Sequence, residues 1–232
     1  AAFNQYDLFL LLDFPSGNTS SFVWNMVETA VKDEQKPFMF FAGRHFSIDK
    51  INSLQDYLPC TIERKLTVTA EPPVITQENR SHPLLMINHT TTVSSWNSLP
   101  PIFPACRVSA IKPNDKVLCE FGEGYSGRSS FPTKPLILVH QVAGDKSLLF
   151  LGYGFYRWDL VMWGIGKTNQ LLRGFMGNAL RWLSVQEDDD RVILKTSKFN
   201  FRAGEEVFLS VQAYDQAYEP LRGAKVELSI TA

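Results

Sequence analysis

The sequence predicts an α/β fold with a short β segment appended at its carboxyl-terminal end. Two runs, residues 7–12 (apolar from Leu8 on) and 38–41, enclose an amphipathic stretch, the strand, helix, strand pattern of a parallel sheet. Leu148, Leu149, Phe150 and Leu151 then lead through Gly152-Tyr153-Gly154 and an aromatic cluster into a helical stripe of Leu171, Leu172, Phe175, Met176, Ala179, Leu180 and Leu183. After Gln186 the pattern changes to short alternating runs divided by turn residues, as in an antiparallel sheet.

Taken in order, the first run has the composition of a strand buried on both faces, and Asp13-Phe14-Pro15-Ser16-Gly17 stops it. Ser20 or Ser21 caps a helix that turns Phe22, Met26, Val27, Ala30 and Val31 inward, and Pro37 opens the second run. A right-handed crossover lays the two strands in one sheet. Ala42-Gly43-Arg44-His45-Phe46 is then the loop at the carboxyl end of the second strand, and Ile48, Ile51, Leu54 and Leu58 mark a short amphipathic helix ended at Pro59. Between residues 61 and 144 the pattern is one of strands and loops, broken at Pro72-Pro73 and by the prolines of residues 98–104. Residues 106–110 and 116–120 flank Lys112-Pro113-Asn114-Asp115 as one expected hairpin, and residues 135–141 and 147–151 flank Ala143-Gly144-Asp145-Lys146 as another. Thr168 offers the N-cap of the last helix. Beyond the acidic boundary Glu187-Asp188-Asp189-Asp190, strands are expected at residues 192–195, 207–214 and 224–230, the opening of a sandwich that needs about seven strands. Two domains follow from this, residues 1–187 and residues 188–232.

The 232 residues carry a formal net charge of −1, which removes the electrostatic basis for a nucleic-acid partner or an anionic membrane surface. No apolar run reaches the ~18 residues of a spanning helix, and the first residues lack the pattern of a signal peptide, so a soluble chain is expected. Cys60, Cys106 and Cys119 are too scattered for a disulfide framework or a CxxC metal site and read as small buried hydrophobes. His45, His82, His89 and His140 are far apart and match no metal-ligand spacing, so neither metal nor cofactor is expected. His82 precedes a proline in a turn, His140 lies mid-strand, and Asn88-His89-Thr90 matches a glycosylation sequon. Asp13, Arg44 and His45 share the cleft at the strand ends, a composition suited to an anion or a carbonyl ligand. Tyr153, Tyr156, Arg157 and Trp158, with Phe155 and Trp163 nearby, form a candidate interaction surface of the residue types that interface centres favour.

One resemblance spans nearly the whole chain. Tyr6-Asp7 with its apolar strand and Asp13, Ala42-Gly43-Arg44, His82-Pro83, Trp96 with Leu99-Pro100-Pro101, Lys134-Pro135-Leu136, residues 152–158, Asn178 with Arg181-Trp182-Leu183, Gly204-Glu205, Tyr214-Asp215 and Pro220 follow one another in a characteristic order. In that order the chain resembles the soluble glutamine amidotransferase-like region of bacterial membrane proteins that often also carry a von Willebrand factor A domain. The resemblance implies a class I glutamine amidotransferase-like, flavodoxin-like sheet with added β hairpins, followed by the start of an immunoglobulin-like domain. It further implies membrane helices outside this chain and an extracytoplasmic, periplasmic location.

Working amidotransferases use a cysteine on a tight strand-to-helix turn, with a histidine and a glutamate two residues apart at the end of a later strand. By the resemblance Ala42 takes the nucleophile position and Gly152 and Gly154 the other two, so the triad is absent, and no cysteine lies within ten residues of Ala42. The expected function is therefore a non-catalytic interaction or scaffold module of a bacterial envelope protein, with a protein partner or a second copy of itself. Two alternatives stand beside it: a ligand-binding or hydrolytic domain using Asp13, Arg44 and His45, and a carbohydrate-binding module using exposed aromatics.

Overall fold

The computed structural model describes residues 3, 5–87, 93–122, 134–142, 144–166, 170–185, 192–196, 207, 209–213, 221, 225 and 227. Its strands and helices run β1 (Phe9–Leu12), α1 (Ser21–Lys32), β2 (Phe38–Phe41), α2 (Ile48–Asn52), β3 (Thr61–Lys65), β4 (Pro73–Ile75), α3 (Val93–Asn97), β5 (Phe103–Pro104), β6 (Cys106–Ser109), β7 (Lys116–Phe121), β8 (Pro135–Val142), β9 (Asp145–Phe150), β10 (Gly152–Tyr153), α4 (Arg157–Gly164), α5 (Gln170–Ser184), β11 (Val192–Thr196) and β12 (Leu209–Ala213). The fold is mixed α/β. Its main sheet has six strands in the order β1-β2-β9-β8-β7-β4, parallel from β1 to β9 and antiparallel from β9 to β4.

Alternation along β2 divides the interior in two. Phe38 and Phe40 face α1, which buries Trp24, Val27 and Val31 against them together with Leu138, Leu149 and Leu151. Met39 and Phe41 face the opposite side, where α5 buries Phe175, Ala179, Trp182 and Leu183 and α4 buries Trp158 and Met162. Central β2 is buried at all four positions, as its unbroken apolar sequence requires. The expected β8–β9 hairpin is present, with Val142 opposite Asp145 and Gly144 at φ +89° in the turn.

Several expectations are corrected. β1 is the edge strand, so Leu10 and Leu12, 43% and 52% exposed, lie beyond the helices that cover Met39 and Phe41. Phe22 is 75% exposed, because the inward stripe of α1 is set by Trp24, Val27 and Val31. Leu180 is 40% exposed; its place on the buried face of α5 is taken by Asn178 and Trp182, and the Asn178 amide donates to the carbonyls of Pro83 and Met86 at 3.2 and 2.6 Å. Residues 106–110 and 116–120 do not form a hairpin: β6 pairs with β3, and β7 pairs with β8 and β4. The chain turns away at Ala110, φ +48°, and Lys112 anchors the link by donating to the carbonyls of Gln55 and Asp56. The aromatic cluster after Gly154 folds as the helix α4. Thr168 lies outside the described residues, and α5 begins at Gln170.

In the tail, β11 and β12 form their own two-stranded antiparallel sheet. Of the third expected strand, residues 224–230, only Lys225 and Glu227 are described. Among the described residues no helix is long and apolar enough to cross a membrane.

Candidate functional site

The carboxyl ends of β1, β2 and β9 meet at one end of the sheet. Asp13, immediately after β1, has φ +48°, a left-handed conformation that aspartate tolerates better than most residues, and its N–H donates to the Phe41 carbonyl at 2.9 Å. Its carboxylate accepts the backbone N–H groups of His45 and Phe46, both at 2.9 Å, and stands 2.8 Å from His45 Nδ1. Asp13 thus holds the loop after β2 to the end of β1. Burial pushes its carboxyl upward, but the bonds from the His45 ring and from the two amides outweigh that and hold it below its ordinary value. Gly43 is required by the same arrangement, since a Cβ there would stand 2.2 Å from the Asp13 carboxyl carbon. His45 keeps most of its ring in solvent, its side chain 78% exposed.

Ala42 and β9 are direct neighbours: the Ala42 N–H donates to the Phe150 carbonyl at 2.8 Å, and Ala42 is buried. A side chain at Gly152 would point into the interior, its Cβ 3.0 Å from Leu136 and Phe121 and 3.2 Å from Ile102. Gly154, φ +90°, turns the chain toward α4. Of residues 152–154, Tyr153 is the one whose side chain faces the loop after β2, where the Arg44 guanidinium lies over its ring at 4.9 Å. Ala42, Gly43, Gly152 and Gly154 bring no nucleophile, acid or base to this junction.

Around Tyr153 the two groups of residues singled out in the sequence meet in part. Its ring stacks on Phe103 at 5.1 Å and 12°, and the Arg157 guanidinium lies over Phe103 at 5.8 Å while donating to the Pro101 carbonyl at 2.9 Å. Beside this series is a pocket of about 200 Å³ whose walls include Gly43, Arg44, Lys65, Thr67 and Tyr153. Lys65 donates to the Arg44 carbonyl at 3.1 Å and lies over the Phe46 ring. Lys65 and Thr67 escaped the sequence reading, because the pairing of β3 with β6 that brings them here is not local. Asp13 and His45, by contrast, form a pair of their own and do not line the pocket.

Trp158 does not belong to an interaction surface. It is 1% exposed, packs edge-on against Trp96 and Phe150, and donates its Nε1–H to the Pro100 carbonyl at 2.8 Å. Tyr156 is 60% exposed, and with Leu160, Trp163 and Ile165 it leaves the outer side of α4 apolar.

Of the remaining histidines, His140 is buried with its Nδ1 2.8 and 2.9 Å from the oxygens of Asp115, the residue before β7. His82 caps the 3-10 turn Pro83–Leu85, its Nδ1 accepting the Leu84 N–H. His89 lies outside the described residues. All three thiols are buried and free; desolvation raises Cys60 to about 12 and pushes Cys106 and Cys119 up as well. Among the described residues no group of three or more His, Cys, Asp or Glu side chains is placed to hold a metal ion.

No protein-family model matches this chain, and no curated protein matches it either. What bears on function is the strand-end geometry. That geometry offers two cationic side chains, an aromatic face and a hydroxyl around a small pocket, next to backbone positions that carry no reactive group.

Proposed function

We propose that this chain is a non-catalytic interaction or scaffold module with a class I glutamine amidotransferase-like, flavodoxin-like sheet, followed by an immunoglobulin-like segment. The observation that carries the reading is the junction of β2 and β9. Members of a catalytic triad must converge within hydrogen-bond reach, and the ends of two adjacent strands are one place where they can do so. Here Ala42 and the end of β9 are joined by a backbone hydrogen bond of 2.8 Å, yet the junction holds alanine and glycine. A nucleophile elbow also needs a sharp, strained strand-to-helix turn. Neither Ala42 nor Gly43 has a positive φ, and α2 starts only at Ile48. The strained residue at these strand ends is Asp13, which is occupied in holding the loop.

The same observations weigh against the two alternatives. Asp13 accepts two amides and the His45 ring, which leaves it a loop anchor, and Trp158 is lost from any exposed carbohydrate platform. In this reading the chain is a soluble, periplasmic part of a bacterial membrane protein and acts through a protein partner or a second copy. Incubation of the purified chain with glutamine tests the loss of catalysis. Ammonia release should equal that of a heat-treated sample, and release above it would refute the reading.

A further inference from the structure

The pocket beside Tyr153 combines features that none of its residues has alone. A guanidinium stacked on a ring uses its face, so its N–H groups remain available along its edge, in the fork geometry that matches an oxyanion. The Arg44 guanidinium carbon lies over the Tyr153 ring, 4.9 Å from its centroid. The Lys65 ammonium has three donors, and one is given to the Arg44 carbonyl. Among the described residues neither cation is ion-paired with a carboxylate, and the nearby charge of Asp13 is taken up by the His45 ring and two amides. Thr67 adds a hydroxyl to the wall. At about 200 Å³ the space is below the ~300 Å³ at which drug-sized sites begin, so it suits a small group or the end of a chain.

We propose that the pocket formed by Arg44, Lys65, Thr67 and Tyr153 binds an oxyanion, a carboxylate or a phosphate group. The inference does not depend on the amidotransferase-like reading, because it uses only these side chains and their geometry.

Titration calorimetry of the whole chain tests it, with inorganic phosphate as one probe and a short peptide ending in a free carboxylate as the other. The same peptide with an amidated end is the control. Saturable binding of phosphate, or of the free-acid peptide in preference to its amide, is expected, and the probe that binds identifies the source of the anion. Losing one charged hydrogen bond should weaken it about tenfold or more in Arg44→Gln and in Lys65→Met, and added salt should weaken it further. Arg44 and Lys65 are exposed, so their variants should melt like the parent chain, and Lys65→Arg should retain binding. The proposal fails if neither probe binds saturably, if peptide and amide bind alike while phosphate does not bind, or if binding survives the double variant R44Q/K65M.

Discussion

Asp13 shows how one side chain can order a whole loop. Its carboxylate takes two backbone donors and an imidazole from residues more than thirty positions away, and it rests against the bare Cα of Gly43. Asp13→Ala leaves those amides without their acceptor and should cost about 1–3 kcal/mol in denaturant unfolding. Gly43→Ala should also be destabilising, since the Asp13 carboxyl must move out of the way of the new methyl group. Asp13 is held below its ordinary value, so its contribution is present above that value and is lost as pH falls through the folded-state value. His82 gives a wider window. Burial first, and then the charge of Lys116, lower its imidazole from 6.5 to about 4. Between those values the unfolded chain binds a proton that the folded chain refuses, so stability is full above 6.5 and falls toward 4. The loss is about 3 kcal/mol. It should be smaller in His82→Asn, which keeps an acceptor for Leu84 without titrating, as melts of the two proteins across this range would show.

At the scale of elements, α5 offers a direct test of which face is buried. Leu183 is 2% exposed and Leu180 is 40% exposed, although both fit an apolar stripe. Leu183→Ala should cost about 2–5 kcal/mol. Leu180→Ala should stay near the ~0.5 kcal/mol of a surface change, and equal losses would mean that the helix is rotated from its described position. The β1–α1–β2 unit and the β8–β9 hairpin were legible because each is written in consecutive residues, an apolar run, a helical stripe, a turn glycine, whereas the parallel pairing of β2 with the distant β9 was not. α4 was hidden because apolar residues lie on every side of it. Trp158 and Met162 point inward while Leu160, Val161 and Trp163 point outward, so no 3.6-residue contrast is visible. An apolar run such as β1 also does not say whether its strand is central or at an edge. The turn at Lys112-Pro113-Asn114-Asp115 was read correctly as a turn, but which partners β6 and β7 choose is decided by distant segments. For the same reason Arg44 could be named as a site residue, whereas Lys65 and Thr67 could not.

Over the whole molecule, the buried hydrophobic residues of the two core clusters divide between the two sides of one sheet. β11 and β12 pair with each other and not with the strands of that sheet. Removal of the residues after Gln186 should leave the six-stranded domain folded, with its melting temperature changed little, while any self-association carried by the tail disappears. Loss of cooperative unfolding in the shortened chain would show that the tail stabilises the sheet. The placement of the cysteines supplies a way to watch such events. Cys60 and Cys106 lie in the interior on the α1 side, Cys119 lies on the α5 side, and burial suppresses the thiolate at all three. A thiol-reactive dye is thus blind to the closed protein and becomes a clock for its opening. Mapping which cysteine is marked first in mild denaturant would tell which of the two layers lets go of the sheet before the other.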